Sequence, residues 1–276
     1  MEATISRADL EPVLAAHKGN AELGAAMKAA STPPALLSVF GRYVDFNGAF
    51  GAGLANLAGE IAARQGLFQD PEEPVRFLAD RASEVGADFF HGAIDEFDDR
   101  LTPWRDTHRT LAQATIKGMG AHFGYTPAQL NDVVNLNEAT RAAMQQVWEG
   151  YGVGMMLDEA RLFRAMGFHT GSEILADQEF TIIDKILRET RPDMVTAMEG
   201  MTVAHLGGKH NAYYWIKIHT SVEADHFEAA VAGVNKALGF YAGKTDKAQL
   251  RAWVLDGFGH FAEVQGRFMS ALGEGL

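Results

Sequence analysis

Tyr213-Tyr-Trp-Ile-Lys-Ile-His219-Thr-Ser-Val-Glu223-Ala-Asp-His226-Phe227 is the stretch on which the reading of this chain turns. The spacing predicts one long helix, on which His219, Glu223 and His226 fall at i, i+4 and i+7 and share a face, because side chains three and four apart stack one above the other. Two imidazoles and a carboxylate on an otherwise apolar face are costly to bury without a compensating charge. The inner Glu223-x-x-His226 pair is the i, i+3 arrangement that helical dinuclear carboxylate sites place on their metals. The plainer alternative is a polar trio whose members only hydrogen-bond one another.

Outward from that segment, apolar residues recur at three and four nearly everywhere, and alternating Val-, Ile- and Thr-rich runs are scarce, so the fold class is all-α. Two short helices are predicted near 6–17 and 20–30. Ser31-Thr-Pro-Pro then opens a longer apolar helix reaching about Gln65. Asp70-Pro-Glu-Glu-Pro74 precedes a helix through Glu84, His91 and Asp95, and Thr102-Pro103 begins another with His108 and Arg109 on its first turns. Thr126-Pro127 places a cap and proline before a helix that ends at Gly150-Tyr-Gly-Val-Gly154. That glycine cluster follows a helix rather than a strand, so it reads as a cap and turn instead of a nucleotide loop. A helix through His169, Glu173 and Phe180 reaches about Glu189, Gly207-Gly208 precedes the quoted segment, and a final helix carries Trp253, Phe258, Phe261 and Phe268. The organisation expected is an N-terminal helical extension over 1–30 and a single helical domain over 31–276, with no solenoid repeat.

Composition narrows the chemistry. The formal net charge of -12, with 24 Lys and Arg that form no run, disfavours nucleic acid and an anionic membrane surface. Cysteine is absent from the sequence, which excludes disulfides, thiolate catalysis and cysteine-held clusters. A metal would therefore rest on His, Asp and Glu, a donor set suited to Fe(II) or Mn(II). The N-terminus has no basic segment followed by an apolar core, and no apolar run reaches eighteen residues, so the expected location is cytoplasmic.

One segment cannot complete a dinuclear centre, so further ligands must come from other helices. His169-Thr-Gly-Ser-Glu173 repeats the His-x3-Glu spacing. Glu84, Asp88, His91 and Asp95 follow a 4-3-4 spacing that gathers them on one stripe, which equally describes a solvated acidic face. His108 beside Arg109 suits a supporting or substrate-binding pair, since Arg matches a substrate carboxylate. Glu149, Glu179 and Glu199 are spare acids. His17 and His122 lack a carboxylate at helical spacing, His260 sits among aromatics, and His205 and His210 flank the glycine turn.

His219-Thr-Ser-Val-Glu223-Ala-Asp-His226, an instance of His-x3-acid-x2-His on a late helix, resembles the heme-oxygenase-like di-iron oxidases, whose fold is that of heme oxygenase and the TenA and PqqC proteins. Many relatives have Asp where this chain has Glu223. The family's early-helix Glu-x6-His corresponds to Glu84 and His91, and its intermediate Glu to Glu173. The intervals on either side of Glu173 are longer here, which the helix at Thr126 and the loop from Pro192 to Gly208 would account for as insertions. The resemblance spans about 80–270 and leaves out the first thirty residues.

It implies a heme-oxygenase-like helical bundle holding two Fe(II) ions, or manganese, on Glu84, His91, Glu173, His219, Glu223 and His226, with His169 and Asp95 as further ligands or supports. Dioxygen would be co-substrate, an external electron donor a possible partner, and the substrate a small amino acid, amine or fatty acid, as in natural-product pathways. Tyr213 and Arg109 are the expected polar substrate anchors, and a homodimer is expected. Two alternatives stand beside it: a metal-free enzyme of the TenA or PqqC kind using the same residues for acid-base work, and a non-catalytic helical binding protein whose polar cluster is a hydrogen-bond network.

Overall fold

The computed structural model describes residues 4–99, 102, 106–220 and 223–276, apart from the side chains of Asp177, Glu223, Ala224 and Asp225. The described chain is all-α, interrupted by one two-stranded hairpin. Helices α1 (Arg7–Ala16) and α2 (Gly19–Ala29) lie against the C-terminal helix α14 (Lys247–Ala271), and their Leu10, Leu23 and Met27 are buried in the same core as the rest. The expected long helix from Ser31 is two helices, α3 (Pro33–Asn47) and α4 (Phe50–Ala62), parted at Gly48. Thr32 caps α3 by accepting from the Ala35 amide, with proline in its first turn as the sequence indicates.

After the single turn α5 (Arg76–Ala79) come α6 (Ala82–Phe97) and α7 (His108–His122), the latter capped by Thr107. Pro103 lies outside the described residues. The helix expected from Thr126 to Gly150 is α8 (Pro127–Val133) and α9 (Glu138–Gly150) with a break between them. Gly152 and Gly154 then turn the chain at positive φ, as a cap and turn should. Central to the molecule is α10 (Glu159–Thr190), 32 residues long, which packs against α14, α13 (Glu223–Phe240), α12 (Tyr214–His219), α4 and α2. It crosses α14 at two glycines. A Cβ on Gly167 would stand 1.9 Å from the Val254 carbonyl oxygen, and one on Gly257 1.9 Å from that of Arg164, so the two backbones touch where each helix lacks a side chain.

Arg191-Pro192 ends α10 and begins α11 (Pro192–Glu199). Strands β1 (Thr202–His205) and β2 (Gly208–Asn211) pair antiparallel, a hairpin that periodicity did not predict. Its two turn residues, Leu206 and Gly207, have φ of 48° and 80°, the paired left-handed conformation of a tight hairpin turn. Four-residue strands are too short for alternation to register. Among the described residues no helix is long and apolar enough to cross a membrane.

Candidate metal centre

The segment that decided the sequence reading is not one helix. Residue His219 ends α12, Thr220 caps it, and Glu223 opens α13. Thr220 turns its hydroxyl onto the Lys217 carbonyl, local bonding of the kind by which Ser and Thr compete with helix continuation. Despite the break, His219 and His226 border one internal cavity of about 50 Å³, where they are 5% and 7% exposed. The backbone of Glu223 begins α13, while its side chain lies outside the described residues.

His219 is fixed from behind. Its Nδ1–H donates to the Trp215 carbonyl at 2.7 Å, and Phe180 stacks on the ring with centroids 4.3 Å apart. The Nε2 lone pair is thereby aimed forward, as in imidazoles that bind metals. In front of it, at 3.2 Å, is Nδ1 of His108 from the first turn of α7, and that atom is also 3.3 Å from Glu96 Oε1 at the end of α6. Burial alone would raise the Glu96 carboxyl, but the charge and hydrogen bond of His108, with His219 and His226 behind it, outweigh burial and hold it below the usual range.

A second group adjoins the first. Glu173 of α10 approaches His226 Nδ1 at 3.6 Å with one oxygen and His169 Nδ1 at 3.3 Å with the other. Asp95 accepts from His226 Nε2 at 3.0 Å. His169 also meets the Tyr151 hydroxyl at 3.2 Å. Burial, and then the neighbouring charge of His226, push the His169 imidazole down to about 3, so it is neutral at ordinary pH. Burial followed by the Glu173 charge raises the Tyr151 phenol, which stays protonated and available as a donor.

Of the two expected ligands on α6, Glu84 is committed elsewhere and His91 lies at the solvent edge of the group. Glu84 is half exposed and pairs with Arg81 at 3.5 Å and Lys236 at 4.0 Å, and Asp88 pairs with Lys236 at 2.8 Å. His91 is exposed, its ring edge-on to His226 with centroids 5.8 Å apart. The reason is one of phase. Val85, Phe89, Gly92 and Glu96 have the same 4-3-4 spacing as Glu84, Asp88, His91 and Asp95, displaced by one residue, and the helix buries Val85, Phe89 and Gly92, which carries the half-buried Glu96 inward with them. Following Val85 and Phe89 forward would have led to Glu96. His108 was legible as a supporting or substrate-binding residue beside Arg109, not as a member of the donor set.

The two expected substrate anchors are also committed elsewhere. Tyr213 donates to Asp184 at 2.8 Å beneath the Arg188 guanidinium, and burial with the Asp184 bond raises its phenol pKa. It ties the start of α12 to α10 and does not line the cavity. Arg109 borders a small side pocket with Glu96, His108 and His219, but its guanidinium is held by Asp45 at 2.9 Å and by the Val44 carbonyl.

The donor set is thus Glu96, His108, Glu173, His219 and His226, drawn from α6, α7, α10, α12 and α13, with His169 and Asp95 touching it. Among the described residues, no three of these side chains converge on one position as a closed metal site. They pair with each other instead. The separations of 3.2 and 3.3 Å from His108 Nδ1 to His219 and Glu96 are nonetheless those of neighbouring ligands, since two bonds of about 2.1 Å at 90–110° leave their donors roughly 3.0–3.5 Å apart. Donor chemistry, the backing of His219 and this spacing fit a carboxylate- and imidazole-bound metal.

No protein-family model matches this sequence. No curated protein matches it. Among solved structures the chain is similar to the crystal structure of a CADD-like protein of unknown function from Nostoc punctiforme, with 15% sequence identity, a TM-score of 0.44, and coverage of 95% of this chain and 86% of that one.

Proposed function

We propose that this chain is a non-heme, dinuclear-iron oxidase or oxygenase with a heme-oxygenase-like helical bundle, acting on a small organic substrate. The observation that carries this reading is the gathering of Glu96, His108, Glu173, His219 and His226 from five helices around one cavity inside the apolar core. Glu96, His108 and His219 would hold one ion, and Glu173 and His226 the other, with Glu223 as the acid the motif provides. When bound, such a pair of ions supplies activation of dioxygen.

The chain's own residues have separate tasks. Trp215 and Phe180 fix the His219 ring and leave its Nε2 facing the cavity. Neutral His169 orients Glu173 from behind, and the protonated Tyr151 hydroxyl offers a hydrogen bond at the cavity edge. Phe50, Leu54, Phe180 and Phe261 keep bulk water from the reacting groups.

The test is anaerobic titration of the purified chain with Fe(II), followed by exposure to dioxygen. Two irons per chain and rapid oxygen uptake are expected; a chain that retains no iron overturns the reading. A second reading, a metal-free acid-base enzyme of the TenA or PqqC kind, is favoured by the direct His108–His219 and Glu173–His169 contacts, which make a connected proton-bearing network without an ion.

A further inference from the structure

Of the described residues that border the internal cavity, Asn47, Phe50, Glu96 and Ala176 are partly exposed, and three of the four meet where α3 gives way to α4. Asn47 ends α3, Phe50 begins α4, and a Cβ on Gly51 would stand 3.2 Å from that of Glu96. The small side pocket, with an enclosed volume of about 10 Å³, lies at the same break. It shares Asn47, Glu96, His108 and His219 with the cavity, so the two adjoin across those side chains.

Outward, the side pocket reaches Gly48, which is exposed, and Arg109, whose side chain is 40% exposed. The guanidinium lies over the glycine, since a Cβ on Gly48 would collide with Arg109 Nη1. It is held there by the Val44 carbonyl at 2.7 Å and by Asp45 at 2.9 Å, both on α3, so one side chain from α7 spans the outer end. An ion pair this exposed is held weakly. Between the two ends the walls are Val44, Ala112 and Trp215, which favour an apolar visitor. The room is that of about one water molecule, which excludes an amine, an amino acid or a fatty acid and admits a diatomic gas.

We propose that the side pocket is an entry passage for dioxygen, too narrow for the organic substrate, and that the Arg109 guanidinium is its outer cover. This rests on the reading of Glu96, His108 and His219 as holders of one ion, because the passage ends at those three side chains. Arg109 governs access and touches no reacting atom.

The test is collisional quenching of Trp215 fluorescence by dissolved dioxygen, timed in the full-length, metal-free chain with the other three tryptophans changed to phenylalanine. Trp215 is 2% exposed and borders the passage, so its quenching rate reports the arrival of dioxygen there. Gly48→Ala, which displaces the guanidinium, and Arg109→Ala, which removes it, are each expected to raise that rate at least twofold. Ala112→Val, which narrows the passage, should lower it at least twofold. Arg164→Ala, which breaks a comparably exposed ion pair with Asp256 elsewhere, should leave it unchanged. No change in Gly48→Ala and Arg109→Ala, or an equal rise in Arg164→Ala, overturns the proposal. The association rate of nitric oxide with the Fe(II)-loaded chain, tryptophans intact, should rank the variants in the same order; a rate indifferent to them overturns the proposal too, and this measurement decides alone should the single-tryptophan chain not fold. Iron retention is scored separately, so a chain that holds no iron sinks the metal reading while quenching still reports on the passage.

Discussion

His219 Nε2 and His108 Nδ1 stand 3.2 Å apart although 111 positions separate them in the chain, and the Trp215 carbonyl fixes which nitrogen of His219 faces forward. Two imidazoles this close gain little from each other unless they share a proton or a cation. On the proposed reading, one half of the centre would lie at this contact, on α7 and α12.

Metal affinity should follow that contact. His108→Ala and Glu96→Gln are expected to weaken Fe(II) binding by at least tenfold, the loss typical of disturbing ligands or their immediate supports. Glu84→Gln should leave it unchanged, because Glu84 faces Arg81 and Lys236. Anaerobic titration of the three variants measures this, and equal losses in all three would return Glu84 to the site.

Acid sensitivity should follow His169. Its folded-state value is depressed from the ordinary 6.5 to about 3, so between those values the unfolded chain binds the extra proton. The associated stability is fully present above about pH 6.5 and is lost as pH falls toward 3, with a slope of at most about 1.4 kcal/mol per pH unit. Urea denaturation of the metal-free chain between pH 5 and 7 should show this slope, and His169→Gln should flatten it.

The α10–α14 crossing should tolerate no added carbon. Gly257→Ala sets a methyl 1.9 Å from the Arg164 carbonyl oxygen, in backbone that cannot swing aside. A loss of about 3 kcal/mol is expected despite the better helix propensity of alanine. Gly259→Ala, two residues on, meets nothing within 4 Å and should be neutral or mildly stabilising in the same thermal melt.

Removing the side-chain amide that Gln265 donates to Glu179 should cost stability. Gln265→Leu leaves the buried Glu179 without that partner, a loss of about 1–3 kcal/mol. Gln265→Glu should be worse, since two carboxyl groups would then face each other in the core. Chemical denaturation ranks the two.

By itself the sequence determined the all-α class and the helix starts at Pro33 and Pro127, because 3.6-residue periodicity, Thr caps and prolines at 32–34 and 126–127 are local signals, whereas the breaks inside the expected long helices carried none. It also determined that His219 and His226 belong together, since seven residues hold them near one another whether or not the helix between them is continuous. Which face of α6 turns inward was present as the run of Val85, Phe89 and Gly92, but the charged stripe one residue away obscured it. Only the tertiary structure decided that Glu96, His108 and Glu179 border the same cavity as those two histidines. Glu96 is brought there by α6, His108 by α7 and Glu179 by α10 itself, and the packing of these helices depends on contacts between residues far apart in the chain, for which local spacing carries no signal.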